Sequence, residues 1–182
     1  TANISGVTYL NVAGKEISDL TGIEDFTALT NLQCWSNSLT SLDLSSNTAL
    51  AYLHCKNNQL TSLDVSSNTA LTRLQCHTNQ LTSLDVSSNT ALGDLRCNNN
   101  QLTYLNMKNG VTSELGIFEA TGNFLTCIET LDPDWAITNW TFANGNIDEG
   151  VTFDVICGAE EQTHWFGYFR QRNRSQPPGH YS

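Results

Sequence analysis

Apolar positions along this chain recur in two alternating beats. The segment Leu60-Thr-Ser-Leu63-Asp-Val65-Ser-Ser-Asn68-Thr-Ala-Leu71 returns at Leu81 to Leu92 and, nearly unchanged, at Leu39 to Leu50. Between the copies lies Leu50-Ala-Tyr-Leu53-His-Cys55-Lys-Asn-Asn58-Gln-Leu60, which returns at Leu71 to Leu81, Leu92 to Leu102 and Leu29 to Leu39. The full period is 21 residues, and it holds two half-turns of the form LxxLxLxxN. In Leu-x-Leu both apolar side chains point to one side of a strand, and the residue between them points out. The Asn at the bend can turn inward and bond backbone groups that the turn leaves unpaired. A single period cannot bury its apolar side, but stacked periods can. The pattern therefore predicts a β-rich solenoid whose turns pair at about 4.8 Å spacing, with a strand-like segment on each half-turn.

The array extends beyond its most regular part. Val7-Thr-Tyr-Leu10-Asn-Val12 reads as a first degenerate strand, and Leu20 to Leu29 as a shortened linking half-turn. Leu115-Gly-Ile-Phe118-Glu-Ala120 fits the template after an insertion around Gly110 to Glu114. Val12, Cys34, Cys55, Cys76, Cys97 and Ala120 then mark six rungs on one side. Degenerate end repeats suit a solenoid, whose exposed ends must be capped.

These residues resemble the leucine-rich-repeat family over roughly residues 7–126, in particular the 21-residue nested-repeat class of secreted and surface proteins of Bacteroidetes-type bacteria. The resemblance implies a right-handed coil of about six turns with short parallel strands, little helix and a C-terminal cap. The segment from Cys127 through Trp135 and Trp140 to Cys157 is similar to that cap. The implied organisation is an N-terminal cap and degenerate first repeat (1–28), repeats (29–126), a C-terminal cap (127–158) and a tail (159–182). Family members act as binding or adhesion modules, often beside a sorting or catalytic domain, and the repeat itself lends no catalytic residues. A secreted or cell-surface bacterial location follows from the same resemblance.

After Gly158 the pattern stops. His164-Trp-Phe-Gly-Tyr-Phe169 precedes Arg170, Arg172, Arg174 and Pro177-Pro178, and three of the eight basic residues lie here. This break reads as a flexible or expression-derived tail, with a short docking segment as the alternative.

Charge narrows the function classes. A formal net charge of -10 lacks the basic footprint of a general nucleic-acid binder. No apolar run reaches the length of a membrane helix, so no membrane insertion is expected, and the chain reads as a monomer. No basic-then-apolar leader opens the sequence, a trait that a processed secreted chain and a cytosolic one share.

Six cysteines form two groups. Cys34, Cys55, Cys76 and Cys97 occupy an apolar template position and should form a buried ladder. Equal steps along a line do not converge on a metal. Rung spacing also exceeds the Cβ separation of about 3.8 Å that a disulfide wants. Cys127 and Cys157 bracket the cap. A disulfide between them would stabilise it and imply an oxidising compartment; two free buried thiols are the alternative.

Comparison of the repeats with one another separates two faces. One side is nearly constant, with outward Asp43, Asp64 and Asp85 followed by Asn106, and Ser45, Ser66 and Ser87 followed by Lys108. Its carboxylates are read as acceptors for nearby Ser and Thr hydroxyls. A weak calcium site at Asp43, Asp64 and Asp85 is the lesser reading; otherwise no cofactor is expected. The cysteine side varies: Gln33 and Trp35, His54 and Lys56, Gln75 and His77, Arg96 and Asn98, Glu119 and Thr121 flank its rungs, with Asn31, Tyr52, Arg73 and Asp94 in an adjoining column. Aromatics with Arg on a rigid surface suit recognition. The candidate ligand face is Trp35, Tyr52, His54, Lys56, Arg73, Gln75, His77, Arg96, Asn98 and Glu119, its local positive charge pointing to an acidic protein surface or an anionic polysaccharide. His54 and His77 lie one rung apart, too few ligands for a firm metal site.

No GxSxG, HExxH, phosphate loop or dinucleotide fingerprint is present. Glu129, Asp132, Asp134, Asp148 and Glu149 could supply a carboxylate pair in the cap, but helix capping and solvation explain such residues as well. The sequence thus points to a non-catalytic protein-binding or adhesion module. A carbohydrate-binding module for anionic polysaccharide and a passive surface spacer are the alternatives.

Overall fold

A computed structural model describes residues 4–158, so the tail at 159–182 lies outside the described residues. The chain coils into a parallel-strand solenoid of about 7 turns with little helix. One sheet collects β1 (Tyr9–Asn11), β2 (Asn31–Gln33), β3 (Tyr52–His54), β4 (Arg73–Gln75), β6 (Asp94–Arg96) and β8 (Ile117–Glu119), in that order. Pairing is parallel and in register, with Leu10, Leu32, Leu53, Leu74, Leu95 and Phe118 stacked at the strand centres. These are the six rungs of the cysteine side. The opposite side carries β5 (Ser83–Asp85), β7 (Tyr104–Asn106), β9 (Cys127–Glu129) and β10 (Thr152–Asp154), ordered β10-β9-β7-β5. The level at β10, contributed by the cap, adds to the six turns counted from the sequence.

The second side departs from the expectation of a strand on every half-turn. Ser41–Asp43 and Ser62–Asp64 repeat the sequence of β5 yet form no ladder. Asp43, Asp64 and Asp85 face solvent there as like charges, and Asp43 opposes ionisation of Asp64. The shallow groove between the first two turns, lined by Asp43, Asp64 and serines, has a volume of about 340 Å³. Pairing begins where the column changes: Asn106 Nδ2 donates to Asp85 Oδ2 at 3.2 Å, and Lys108 pairs with Glu129 on the next turn. A neutral donor and a cation replace repulsion with attraction.

Two asparagine ladders run through the core. On the cysteine side, Asn58, Asn79, Asn100 and Asn123 each donate Nδ2 to the cysteine-position carbonyls of their own and the preceding turn. Each Oδ1 accepts a leucine N–H of the preceding turn. On the other side, Asn47, Asn68 and Asn89 donate twice, but their Oδ1 atoms are buried without a partner. Sharp corners on the cysteine side place Ser36, Asn57, Thr78 and Asn99 at φ between 54° and 57°. Gly122 continues the series at φ 69°, where a Cβ would come within 2.6 Å of Asn99 Oδ1.

The C-terminal end is closed by residues 130–158. Asp132 caps α1 (Pro133–Asn139) by accepting from Trp135 N at 3.0 Å, and Pro133 suits the first turn. The buried Trp140 packs on Phe118, with ring centroids 4.4 Å apart, and on Phe153. Asn146 replaces the missing next rung: its carbonyl accepts from Ala120 N and its Nδ2 donates to Phe118 O. Asp148 accepts from Gly122 N and Asn123 N, so this carboxylate closes a strand edge. Cys127 and Cys157 form a disulfide across the cap, with Cα atoms 5.8 Å apart.

Candidate functional site

Because the strands are in register, outward side chains of the cysteine-side sheet fall on a grid. One column reads Asn31, Tyr52, Arg73, Asp94, Ile117 and the next Gln33, His54, Gln75, Arg96, Glu119. A third lies just past the cysteines, where Ser36 N bonds Lys56 O, Asn57 N bonds His77 O, and Thr78 N bonds Asn98 O. It reads Trp35, Lys56, His77, Asn98, Thr121. All ten candidate face residues lie on this grid, above a core of fully buried Leu32, Leu53, Leu74 and Leu95.

The grid is cross-linked by its own side chains. Lys56 Nζ lies 5.7 Å from the centre of the Trp35 ring, and the Arg73 guanidinium 5.3 Å from that of Tyr52. His54 sits between the two aromatics, tilted against Trp35 at 5.9 Å and stacked near Tyr52 at 6.1 Å. The Tyr52 hydroxyl and His54 Nδ1 share a 3.3 Å hydrogen bond. Burial first, then the Lys56 charge, lowers the His54 pKa to about 4. The same two causes lower that of His77. Both imidazoles are therefore neutral at pH 7.

The positive charge read from the sequence is largely compensated. Asp94, taken there as an exposed column residue, is buried, accepts from Arg96 Nε at 3.2 Å and forms an ion pair with Arg73 Nε at 3.3 Å. Arg96 also reaches Glu119 at 3.6 Å. Lys56 is left as the cation of the grid without a carboxylate within 4.0 Å, among the described residues. Asp94 was missed as an organiser of the site. The signal was present: it stands one period after Arg73 and two residues before Arg96, on the same strand face.

On the constant side, each carboxylate is engaged locally. Asp43, Asp64 and Asp85 accept from the backbone amides of Ser45, Ser66 and Ser87 at 2.9, 2.9 and 2.8 Å. The partner that fixes the repeated Asp is thus a serine amide, rather than hydroxyls alone. No group of three His, Cys, Asp or Glu side chains placed to hold a metal occurs among the described residues. Cys34, Cys55, Cys76 and Cys97 are fully buried free thiols. Burial pushes Cys34 and Cys76 up to about 12, which leaves them unreactive. In the cap, Glu129 pairs with Lys108 and accepts from Cys157 N, Asp132 caps α1, and Asp148 closes the strand edge. These three carboxylates have structural partners; Asp134 lies in the first turn of α1 and Glu149 in the following loop.

No family model matches this chain, and no curated protein matches it in sequence. Among solved structures, an internalin of Listeria monocytogenes aligns with TM-score 0.54 and 27% identity, over 61% of this chain and 34% of that one. A leucine-rich-repeat protein of Leptospira interrogans aligns with TM-score 0.51 and 23% identity, over 62% of this chain and 33% of that one. The chain spans about a third of the length of either neighbour. The architecture is that of the leucine-rich-repeat solenoid.

Proposed function

We propose that this leucine-rich-repeat solenoid is a non-catalytic protein-binding or adhesion module that engages its partner through the cysteine-side strand face. The observation that carries the reading is the cross-linked grid: Trp35, Tyr52, His54, Lys56 and Arg73 are held against one another before any partner arrives. Preorganised aromatic and arginine side chains lose little entropy on binding, which is how a few residues come to dominate an interface. Similarity to an internalin supports the same class. The disulfide of the cap supports an oxidising, secreted or surface location, and the 21-residue period supports assignment to the nested-repeat class.

A protein partner fits better than a polysaccharide. Sugar rings need an open aromatic face. Here the Trp35 ring carries Lys56 and His54, and the Tyr52 ring carries Arg73 and His54.

The test immobilises the full chain and compares capture of extracellular proteins by three forms: wild type, Trp35→Ala/Arg73→Ala on the grid, and Thr61→Ala on the opposite side. A specific partner retained by the first and third but lost by the second is the expected result. Equal retention by all three would overturn the assignment of the face.

A further inference from the structure

We propose that the partner presents an acidic peptide segment to the third column of the grid, seating a carboxylate on Lys56 between Trp35 and His77. This deepens the reading above and depends on it. Three features carry it. First, the grid holds Lys56, Arg73 and Arg96 against Asp94 and Glu119, and the two arginines are spoken for by those carboxylates. Lys56 keeps an unpaired charge, half-exposed, on a protein whose formal net charge is -10. A local cation in an acidic field marks a region of this face, among the described residues, where an anionic group is drawn in rather than repelled.

Second, the column provides what a Glu or Asp side chain needs around its charge. Trp35 on the preceding rung holds the Lys56 ammonium 5.7 Å from its ring centre, and His77 lies on the following rung with its Nδ1 engaged by Thr78 Oγ1 at 3.2 Å. Rungs repeat at about 4.8 Å, so all three are within reach of one carboxylate and its neighbours on an extended peptide. Third, both aromatic rings already carry a cation and an imidazole, which disfavours ring stacking by sugars and leaves charge as the recognition element.

A pH dependence follows. The charged and titratable groups facing His77 are Lys56, Arg96 and Glu119, with His54 in the adjoining column and Asp94 beside Arg96. Burial first, then the Lys56 charge and more weakly that of Arg96, hold the His77 imidazole neutral, and Glu119 opposes them. A carboxylate on Lys56 cancels the nearest of these repulsions, so the complex binds a proton more readily than the free protein does. By linkage, affinity rises as pH falls from 7.5 toward 5.5, while the peptide carboxylates are still ionised.

The test uses a biotinylated dodecapeptide of alternating Glu and Tyr, its Gln-for-Glu counterpart and polygalacturonate, each offered to the full chain at low salt. Retention of the Glu peptide about fivefold above the Gln peptide is expected, with a similar loss in Lys56→Met. The Glu peptide should bind about threefold tighter at pH 5.5 than at pH 7.5, a ratio that His77→Gln reduces toward one. An independent readout is the NMR titration of His77, whose pKa should rise in Lys56→Met without any ligand. Equal retention of the two peptides, or an unchanged His77 titration in Lys56→Met, overturns the proposal. So does Lys56-dependent retention of polygalacturonate without retention of the peptide. A natural partner lost by Trp35→Ala/Arg73→Ala but kept by Lys56→Met would refute the acidic segment and leave the binding face standing.

Discussion

Replacing one inward asparagine from each ladder by alanine should cost very different amounts. Asn79→Ala removes the two shorter bonds from Nδ2, to Cys55 O at 3.1 Å and Cys76 O at 3.0 Å, a long contact to His77 O at 3.4 Å, and one bond to Oδ1 from Leu60 N at 3.1 Å. Cys55 O keeps Asn58 and Cys76 O keeps Asn100 as donors. Leu60 N–H loses its acceptor inside the core. Three bonds at about 1 kcal/mol each and a stranded buried donor at about 1–3 kcal/mol give a loss of about 4–6 kcal/mol. Asn68→Ala removes two bonds, to Leu44 O at 3.0 Å and Asn47 O at 2.9 Å. Both carbonyls keep backbone donors, Asn47 N and Leu50 N, and the buried Oδ1 that lacked a partner disappears as well. The loss is then about 1–2 kcal/mol. Both sites are central and change volume equally, so the cavity contribution cancels in the comparison. Urea unfolding followed by tryptophan fluorescence and circular dichroism measures the difference, as does a thermal scan. In a chain of this size each kcal/mol moves the melting midpoint by roughly 2–4 °C, so Asn79→Ala should melt at least about 4 °C below Asn68→Ala. Equal midpoints, or the reverse order, would refute the claim that the two ladders are satisfied to different degrees.

Three further outcomes follow from particular contacts. Thr78 is a β-branched residue at φ 57° in a corner series that elsewhere holds Asn57 and Asn99, so Thr78→Asn should raise stability by roughly 1 kcal/mol; a lowered melting midpoint would contradict the strain. Opening the Cys127–Cys157 bridge, which spans 30 residues, should cost about 3–4 kcal/mol by loop entropy, so an unfolding midpoint unmoved by reductant would show that packing alone holds the cap. Asp43 is held below the ordinary 3.8 by the Ser45 amide, and Asp64 by the Ser66 hydroxyl and amide. Groups depressed in the folded state stabilise it above that value and lose the contribution as pH falls through the folded pKa. Stability should thus decline on the acid side of about pH 4, more gently in Asp43→Asn/Asp64→Asn, and an identical acid limb in that variant would count against the serine contacts.

The coil was legible because its information is local and repeated. Leu53 and Cys55 point the same way for the same reason as Leu74 and Cys76, and an Asn that recurs every period has the same carbonyls to meet on every turn. Ladder formation on the other side was not legible, because it depends on what stacks on what. Ser41–Asp43 and Ser83–Asp85 are the same tripeptide type, yet the strand forms only where Asn106 rather than another aspartate lies on the next turn. The cap shows the same limit. Asp132 before Pro133 reads directly as a helix start, whereas nothing local announces that Asn146 bonds Ala120 and Phe118 in place of a rung.

The cysteine-side face shows where counting residues stops being physics. Three cations concentrated on one surface read as a positive patch, and each was placed there correctly by period alone. What the period could not give was the pairing. Asp94 shares its column with Asn31, Tyr52, Arg73 and Ile117 and looks no different from Asn31 or Tyr52 until its depth is known. Buried between Arg73 and Arg96, it fixes both guanidinium groups and removes most of their net field. Arg73 is then held over Tyr52, and Tyr52 over His54, so one buried carboxylate orients half the grid while cancelling its charge. Lys56 escapes because its column holds Trp35, His77 and Asn98 but no acid. The free cation therefore lies off both arginine columns, one rung before His77, as a single lysine above an aromatic ring.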